Sequence, residues 1–233
     1  MSDLGTYGSV GDAVRAHVDR ILCLTCPQGY ESRYPSLRAE FDRYGLCDIL
    51  IPCINVYSLF EHEALNGREF ANAGAKATNV KNCALGHYHM AKFALDAGYA
   101  SVMLVEDDCR FGDADTVVRY LEDLPCGSNA VMSYYGLRGP GSWRVFPRRG
   151  WARWGVLPPG SMFDFTTCYA LNTDGLSALV RHYETAGLPG SSVKFDAADR
   201  MLPRLSGDVK LYISRVSLFS QSGSPSVIHG RTV

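Results

Sequence analysis

The stretch SVMLVEDDCRFGD, residues 101–113, runs an apolar segment straight into three adjacent carboxylates, Glu106, Asp107 and Asp108. Val102, Leu104 and Val105 suit a strand covered on both faces, as in a parallel sheet between helices. Acids at the end of such a strand are costly to bury. Like charges repel, and each loses its hydration unless donors or a counter-ion replace the water. A positive partner is therefore expected near residues 106–108. Ligands of open α/β sheets bind outside the carboxyl ends of the strands, which is where this cluster falls. Side chains alternate along an extended chain, so Glu106 and Asp108 can face one way and Asp107 another. Two oxygen donors on one side suit a hard cation such as Mg²⁺ or Mn²⁺, with a substrate phosphate completing the shell. A solvated acidic turn capped by the next helix is the plainer reading of the same residues.

Outward from this strand, apolar runs alternate with segments of helical period, the pattern of an α/β sandwich with a mostly parallel central sheet. RILCL (20–24) reads as a strand. Leu37, Phe41 and Tyr44 share a helical face, with Pro35 tolerable in the first turn, and DILIP (48–52) reads as a second strand. The polar segment 61–82 reads as a loop or a broken helix. Ala84, Tyr88, Ala91 and Leu95 make an apolar stripe that predicts a helix over 83–97, ended by Gly98. A short helix over 114–123 and a strand over 130–135 follow. CYALN (168–172) reads as a strand, and Leu176, Leu179, Val180 and Tyr183 as a helix capped by Thr173 or Asp174. FDAADRML begins a short helix that Pro203 is expected to end, and KLYIS and VSLF read as closing strands. No repeat or low-complexity tract divides the chain, so residues 1–233 are expected to form a single domain.

The formal net charge of −1 excludes binding of a polyanion by bulk charge, which leaves such a role to local patches. No run approaches the roughly 20 apolar residues that span a bilayer. The start, MSDLGTYGSVGDAV, lacks a basic flank and apolar core, so no signal peptide is expected. Of the eight cysteines, Cys23 and Cys26 form a lone CxxC. Zinc or redox chemistry is one reading of that pair. The other is reduced, buried cysteine acting as a small hydrophobe, which the apolar settings IPCIN and TTCYA favour. A reducing, cytoplasmic location is the corresponding expectation, with any membrane contact peripheral to the inner face.

Four blocks of the chain resemble glycosyltransferase family 25, the lipooligosaccharide and collagen galactosyltransferase-like group. RILCL followed by ESRYPSL resembles the family's first strand and arginine-bearing helix, with Arg33 in the place of that arginine. CALGHYHMAKFALDAGYASVMLVEDD resembles its "GCxxSH" helix leading into "ILEDD"; Cys83, Leu85 and His87 match, while Gly86 replaces the serine and Asn82 the glycine. CYALNTDGLSALV, FDAADRML and QSGSPSVI resemble its later blocks. The resemblance implies a fold of GT-A type, a nucleotide-binding sandwich, and makes the EDD run the counterpart of a metal-binding DxD. It implies a metal-dependent, inverting transfer of a hexose from a UDP-sugar to an acceptor hydroxyl, with Mn²⁺ or Mg²⁺ neutralising charge on the leaving diphosphate.

On that footing Asp108 and Glu106 are the expected metal ligands. His229 is a further candidate, because many GT-A enzymes complete the metal site with a C-terminal histidine. Arg33, Glu106, Asp107, His87 and Lys81 are the donor-side candidates, an arginine fork being suited to phosphate. Inversion needs a base opposite the leaving group. Asp196, which matches the family aspartate, is the first candidate, followed by Asp199 and Asp164. Asp196 and Asp199 also read as a helix cap and a first-turn acid.

YYGLRGPGSWRVFPRRGWARWG (134–155) holds every tryptophan of the chain, five arginines and no acid. Its glycines and prolines predict a long loop, extending to 160, on the acceptor side. Trp143, Arg144, Arg148, Arg149, Trp151 and Trp154 are its candidate acceptor-binding residues. Indole faces stack on sugars, and arginines suit an anionic glycan. The same pairing suits DNA, so a DNA glycosyltransferase acting on a hydroxymethylated, extruded base is an alternative. A non-catalytic nucleotide-sugar or glycan-binding protein is another, and an interface or self-packed flap is the bland account of the loop.

Overall fold

A computed structural model describes residues 7–54, 77–125, 127–128, 130–132, 150–153, 168–186, 197–214 and 216–222. Its centre is a seven-stranded sheet in the order β2-β1-β3-β7-β5-β8-β6. The strands are β1 (Arg20–Thr25), β2 (Leu50–Ile54), β3 (Ser101–Glu106), β5 (Ala130–Met132), β6 (Trp151–Arg153), β7 (Cys168–Asn172) and β8 (Leu211–Ser214). β1, β2, β3, β5 and β8 run one way, and β7 and β6 run against them. The expected mostly parallel sheet flanked by helices is therefore the architecture observed.

Alternation along the central strands builds the two halves of the core. Leu22, Leu24, Val102 and Leu104 turn to one face, where α4 (Ala77–Asp96), α6 (Thr173–Thr185) and α7 (Ala198–Arg204) cover them. Ile21, Cys23, Met103 and Val105 turn to the other, against α1 (Val10–Arg15), α3 (Tyr34–Asp42) and α5 (Ala114–Glu122). A short antiparallel ladder of β4 (Cys109–Phe111) and β9 (Phe219–Gln221) packs on this second face. There Phe111 meets Phe41 at 4.9 Å and Phe219 at 5.1 Å between ring centres.

Several boundaries differ from the sequence reading, each for a local reason. α4 begins at Ala77, so the end of the polar 61–82 segment is helical, ahead of the first residue of the apolar stripe. The second strand sits two residues later than DILIP. It keeps Pro52 because β2 is an edge strand, where a missing donor costs no ladder bond on the open side. α6 is capped by Asn172, whose side chain accepts from the Gly175 amide at 3.0 Å, rather than by Thr173 or Asp174. α7 runs through Pro203 to Arg204 and on into a 3₁₀ turn, because Met201, Leu202 and Leu205 all bury in the same layer. The phenylalanine of VSLF opens β9 in the small ladder, outside the main sheet.

Leu104 lies fully buried on β3, between β1 and β7. Leu104→Ala should lower the unfolding free energy by about 2–5 kcal/mol, read as an earlier midpoint in urea at unchanged slope.

Candidate active site

The chain leaves β1 toward α3 on one face and returns to β3 from α4 on the other, so the strand order reverses between β1 and β3. Such a reversal opens a crevice at the carboxyl ends of the two strands. β1 ends there in Thr25, β3 in Glu106, and Asp107 and Asp108 follow. The three acids, adjacent in sequence, have three different environments.

Asp107 points back into the protein. Its amide donates to the Leu24 carbonyl, at 3.1 Å, and its carboxylate is buried. It accepts from Thr25 Oγ1 at 2.6 Å and from Arg33 Nη2 at 2.9 Å. Burial pushes the Asp107 carboxyl up, while the Thr25 hydroxyl and the Arg33 guanidinium draw it back. Arg33 is thus the positive partner that the carboxylate run demanded. It stands at the junction of α2 (Pro27–Ser32) and α3, where its own amide donates to Gly29 O at 2.7 Å. Gly29 leaves room for this pair. A Cβ there would meet the Asp107 carboxylate, Arg33 Nη2 at 2.8 Å and Thr25 Oγ1 at 2.9 Å. The turn is held from below by Cys26, whose Sγ accepts from the Gly29 amide at 3.3 Å. The CxxC pair is accounted for in this way: Cys26 caps α2 and Cys23 fills the core, both as free thiols.

Among the described residues, Asp108 has no such side-chain partner at Oδ1. It is 8% exposed, and its Oδ1 is buried without a hydrogen bond. Burial first, then the charges of Glu106 and Asp107, push its carboxyl up to about 7. Its main-chain carbonyl accepts from the Ser222 amide at 2.7 Å, which brings the segment after β9 to the acids. In the β4–β9 ladder Gln221 pairs with Cys109, next to Asp108, and Gln221 Oε1 is also buried without a partner. An orphaned carboxylate oxygen within a cluster of acids is what a bound cation would satisfy, since buried acceptors are otherwise almost always bonded. The Gln221 oxygen is a second orphan, on the strand paired next to it. Asp108, Gln221 and Glu106 offer carboxylate and amide oxygen, the donor set of Mg²⁺ or Mn²⁺.

Glu106 turns to the α4 face. Its Oε1 lies 3.5 Å from His87 Nε2, and His87, fully buried, has Nδ1 2.8 Å from the Tyr169 hydroxyl. Cys83, one helical turn before His87, completes a group whose ligand atoms all lie within 4.8 Å of one another. Lys81 stands two residues earlier, part-buried, where burial lowers its pKa.

The structure therefore brings Arg33, His87, Glu106, Asp107 and Asp108 together at one end of the sheet. Asp199 has its backbone in the first turn of α7. Trp151 opens β6 and packs edge-on against Tyr120, its indole N–H donating to the Tyr120 carbonyl at 2.8 Å. Asp164, Asp196, His229, Trp143, Arg144, Arg148, Arg149 and Trp154 lie outside the described residues. Thr25, Gly29, Tyr169 and Gln221 were missed as site residues. The available signal for Thr25 was a hydroxyl at a strand's carboxyl end.

No family model matches the chain, and no curated protein does. The family 25 resemblance thus has no support from these comparisons. Among solved structures, a UDP-glucose pyrophosphorylase complexed with UDP-glucose aligns with a TM-score of 0.43 and 9% identity, over 88% of this chain and 76% of that one. A glycosyltransferase involved in glycosylation of the major capsid of PBCV-1 aligns at 0.37 and 7%, over 84% and 93%. Mouse xyloside xylosyltransferase 1 aligns at 0.37 and 8%, over 81% and 75%. At this level of similarity any functional reading rests on the site's own chemistry.

Two outcomes follow from the geometry. Gly29→Ala should destabilise the fold by about 1–3 kcal/mol, the usual cost of forcing extra volume into a packed site, measured by urea unfolding. Asp108 is ionised above pH 4 in the unfolded chain but only near pH 7 when folded. Its contribution to stability is therefore fully present below about pH 4 and lost as pH rises through 7. Asp108→Asn, which cannot ionise, should melt several degrees higher than the parent at pH 8 and near it at pH 4, without added metal.

Proposed function

We propose that the chain is a metal-dependent, inverting glycosyltransferase that moves a hexose from a UDP-sugar to a hydroxyl of an acceptor. The observation that carries this reading is Asp108 at the β1/β3 switch point, with a buried carboxylate oxygen lacking any partner beside Glu106 and the orphaned Gln221 amide oxygen. Resemblance of the sequence blocks to family 25 supplies the donor class.

In this reading Asp108 is the direct protein ligand of Mn²⁺ or Mg²⁺. Glu106 holds the ion through water or touches the ribose, and His229 is the candidate that would complete the shell. The ion supplies Lewis-acid neutralisation of charge on the leaving diphosphate. Asp107 does not touch the donor. Locked to Thr25 and Arg33, it fixes the backbone from which its two neighbours project. Asp196, or Asp199 or Asp164, takes the proton of the acceptor hydroxyl. The arginine–tryptophan segment, with Trp143, Arg144, Arg148, Arg149 and Trp154, binds the acceptor. Trp151 contributes from β6, and an anionic glycan fits that composition.

Calorimetric titration of UDP with and without Mn²⁺ tests the reading on the parent and on Asp108→Ala. Binding by the parent should need the metal, and the variant should lose it by more than about tenfold, ~1.4 kcal/mol. Metal-free binding that is unchanged in the variant would remove the mechanism.

A further inference from the structure

Going beyond the reading above, we propose that Cys83, His87 and Glu106 form a second cation site, adjoining the first at Glu106 and of the soft type that takes Zn²⁺. Cys83 and His87 are spaced i, i+4 on α4 and so share one helical face, which lies over the end of β3. Glu106 reaches the same spot from the strand. Thiolate, imidazole and carboxylate together are zinc's three protein ligand types, whereas a Mg²⁺ or Mn²⁺ site would be built from oxygen alone.

Three details favour an ion over a simple polar contact. His87 is fully buried, and its Nε2 has no hydrogen-bond partner. Glu106 Oε1, at 3.5 Å, is too distant for a good hydrogen bond. It is close to the separation that two ligands of one tetrahedral zinc adopt, ~3.3–3.6 Å for metal bonds of about 2.0–2.2 Å. Tyr169 accounts for the other ring nitrogen. With Nε2 on a metal, Nδ1–H donates to the Tyr169 hydroxyl, at 2.8 Å, which fixes tautomer and ring plane in the manner of a metal-bound histidine. Cys83 and Glu106 are only part-buried, so an ion has a path in from solvent. Binding transfers the Cys83 thiol proton to solvent and forms the sulfur–metal bond in its place, so uptake strengthens with rising pH.

Three protein ligands leave a fourth position for water or a substrate oxygen, the layout of zinc sites that do chemistry rather than of those that only brace a fold. Asp108 is not part of this group, so the two sites differ in chemistry and in their main ligands, with Glu106 common to both.

Cobalt distinguishes them by spectroscopy. The chain, stripped with chelator and held reduced by a phosphine, is titrated with Co²⁺ and then with Zn²⁺. A thiolate-to-cobalt charge-transfer band should appear at one ion per chain, vanish when Zn²⁺ is added, and be absent in Cys83→Ala. That variant changes a part-buried helical position to the best helix former, and circular dichroism checks its fold. Tyr169→Phe should keep the band and bind Zn²⁺ about 10–100-fold more weakly, the usual effect of losing a histidine's outer partner. Asp108→Asn should keep the band even where it abolishes metal-dependent UDP binding, so the two proposals fail separately. No band in the reduced parent, or a band that persists in Cys83→Ala, overturns the site.

Discussion

The buried pair of Asp107 and Arg33 is the contact on which the rest of the crevice depends. Both groups are largely withdrawn from water, with side chains 5% and 14% exposed. Removing either partner would strand a charge at the end of the central strand, a loss of about 3–5 kcal/mol. The pair also joins elements that are distant in the chain: the end of β3, the end of β1 through Thr25, and the junction of α2 and α3. Gly29 permits that closeness, and Cys26 holds the turn carrying it. Glu106 and Asp108 project from a backbone fixed in this way. Their positions are set before any ligand arrives, which reduces the ordering that binding would otherwise require.

Alternation along β3 sorts residues of one character into separate tasks. Val102 and Leu104 face α4 and α6, while Met103 and Val105 face α3 and α5. The same two-residue period carries Glu106 toward His87 and Asp107 toward Arg33. Asp107 takes Arg33 directly, in a buried ion pair at 2.9 Å. Asp108 is raised to about 7 because burial and the charges of Glu106 and Asp107 together outweigh the pull of Arg33 and a backbone hydrogen bond. Structural and ligand-directed acids are therefore neighbours in sequence, separated by the pleat rather than by distance.

Much of this was legible in the sequence. The apolar run ending in EDD located the central strand, its carboxyl end and the need for a positive partner, and Arg33 lies at the junction of the two helices that follow β1. The stripe from Ala84 to Leu95 located the helix that faces Glu106. What could not be read was the division of labour. An arginine near acids fits phosphate binding as well as ion pairing, and only tertiary distance decides that Arg33 meets Asp107. A CxxC fits zinc as well as core packing. Here Cys23 turns to the interior and Cys26 to an amide, whereas Cys83, read from the sequence only as a match in the helix block, meets His87 and Glu106. The cap of α6 was misplaced by one residue because Asn172, Thr173 and Asp174 are all competent caps; the end of the strand decides which of them is left extended.

The same logic explains why His87 is buried at all. A fully buried imidazole with one unsatisfied nitrogen is unfavourable, and an apolar side chain at that position, against the Tyr169 ring, would avoid the cost. The helix nevertheless presents it to Glu106 and ties its far nitrogen to Tyr169, whose hydroxyl lies in the same layer. Each of these groups is poorly placed as a hydrophobe, and together they make sense as an arrangement around a charge. The orphaned oxygens of Asp108 and Gln221 make the parallel case in the segment that follows β3 and on β9, which pairs with β4. Departures from an apolar interior thus converge at the carboxyl end of β3, where the strand order reverses and the core gives way to the crevice.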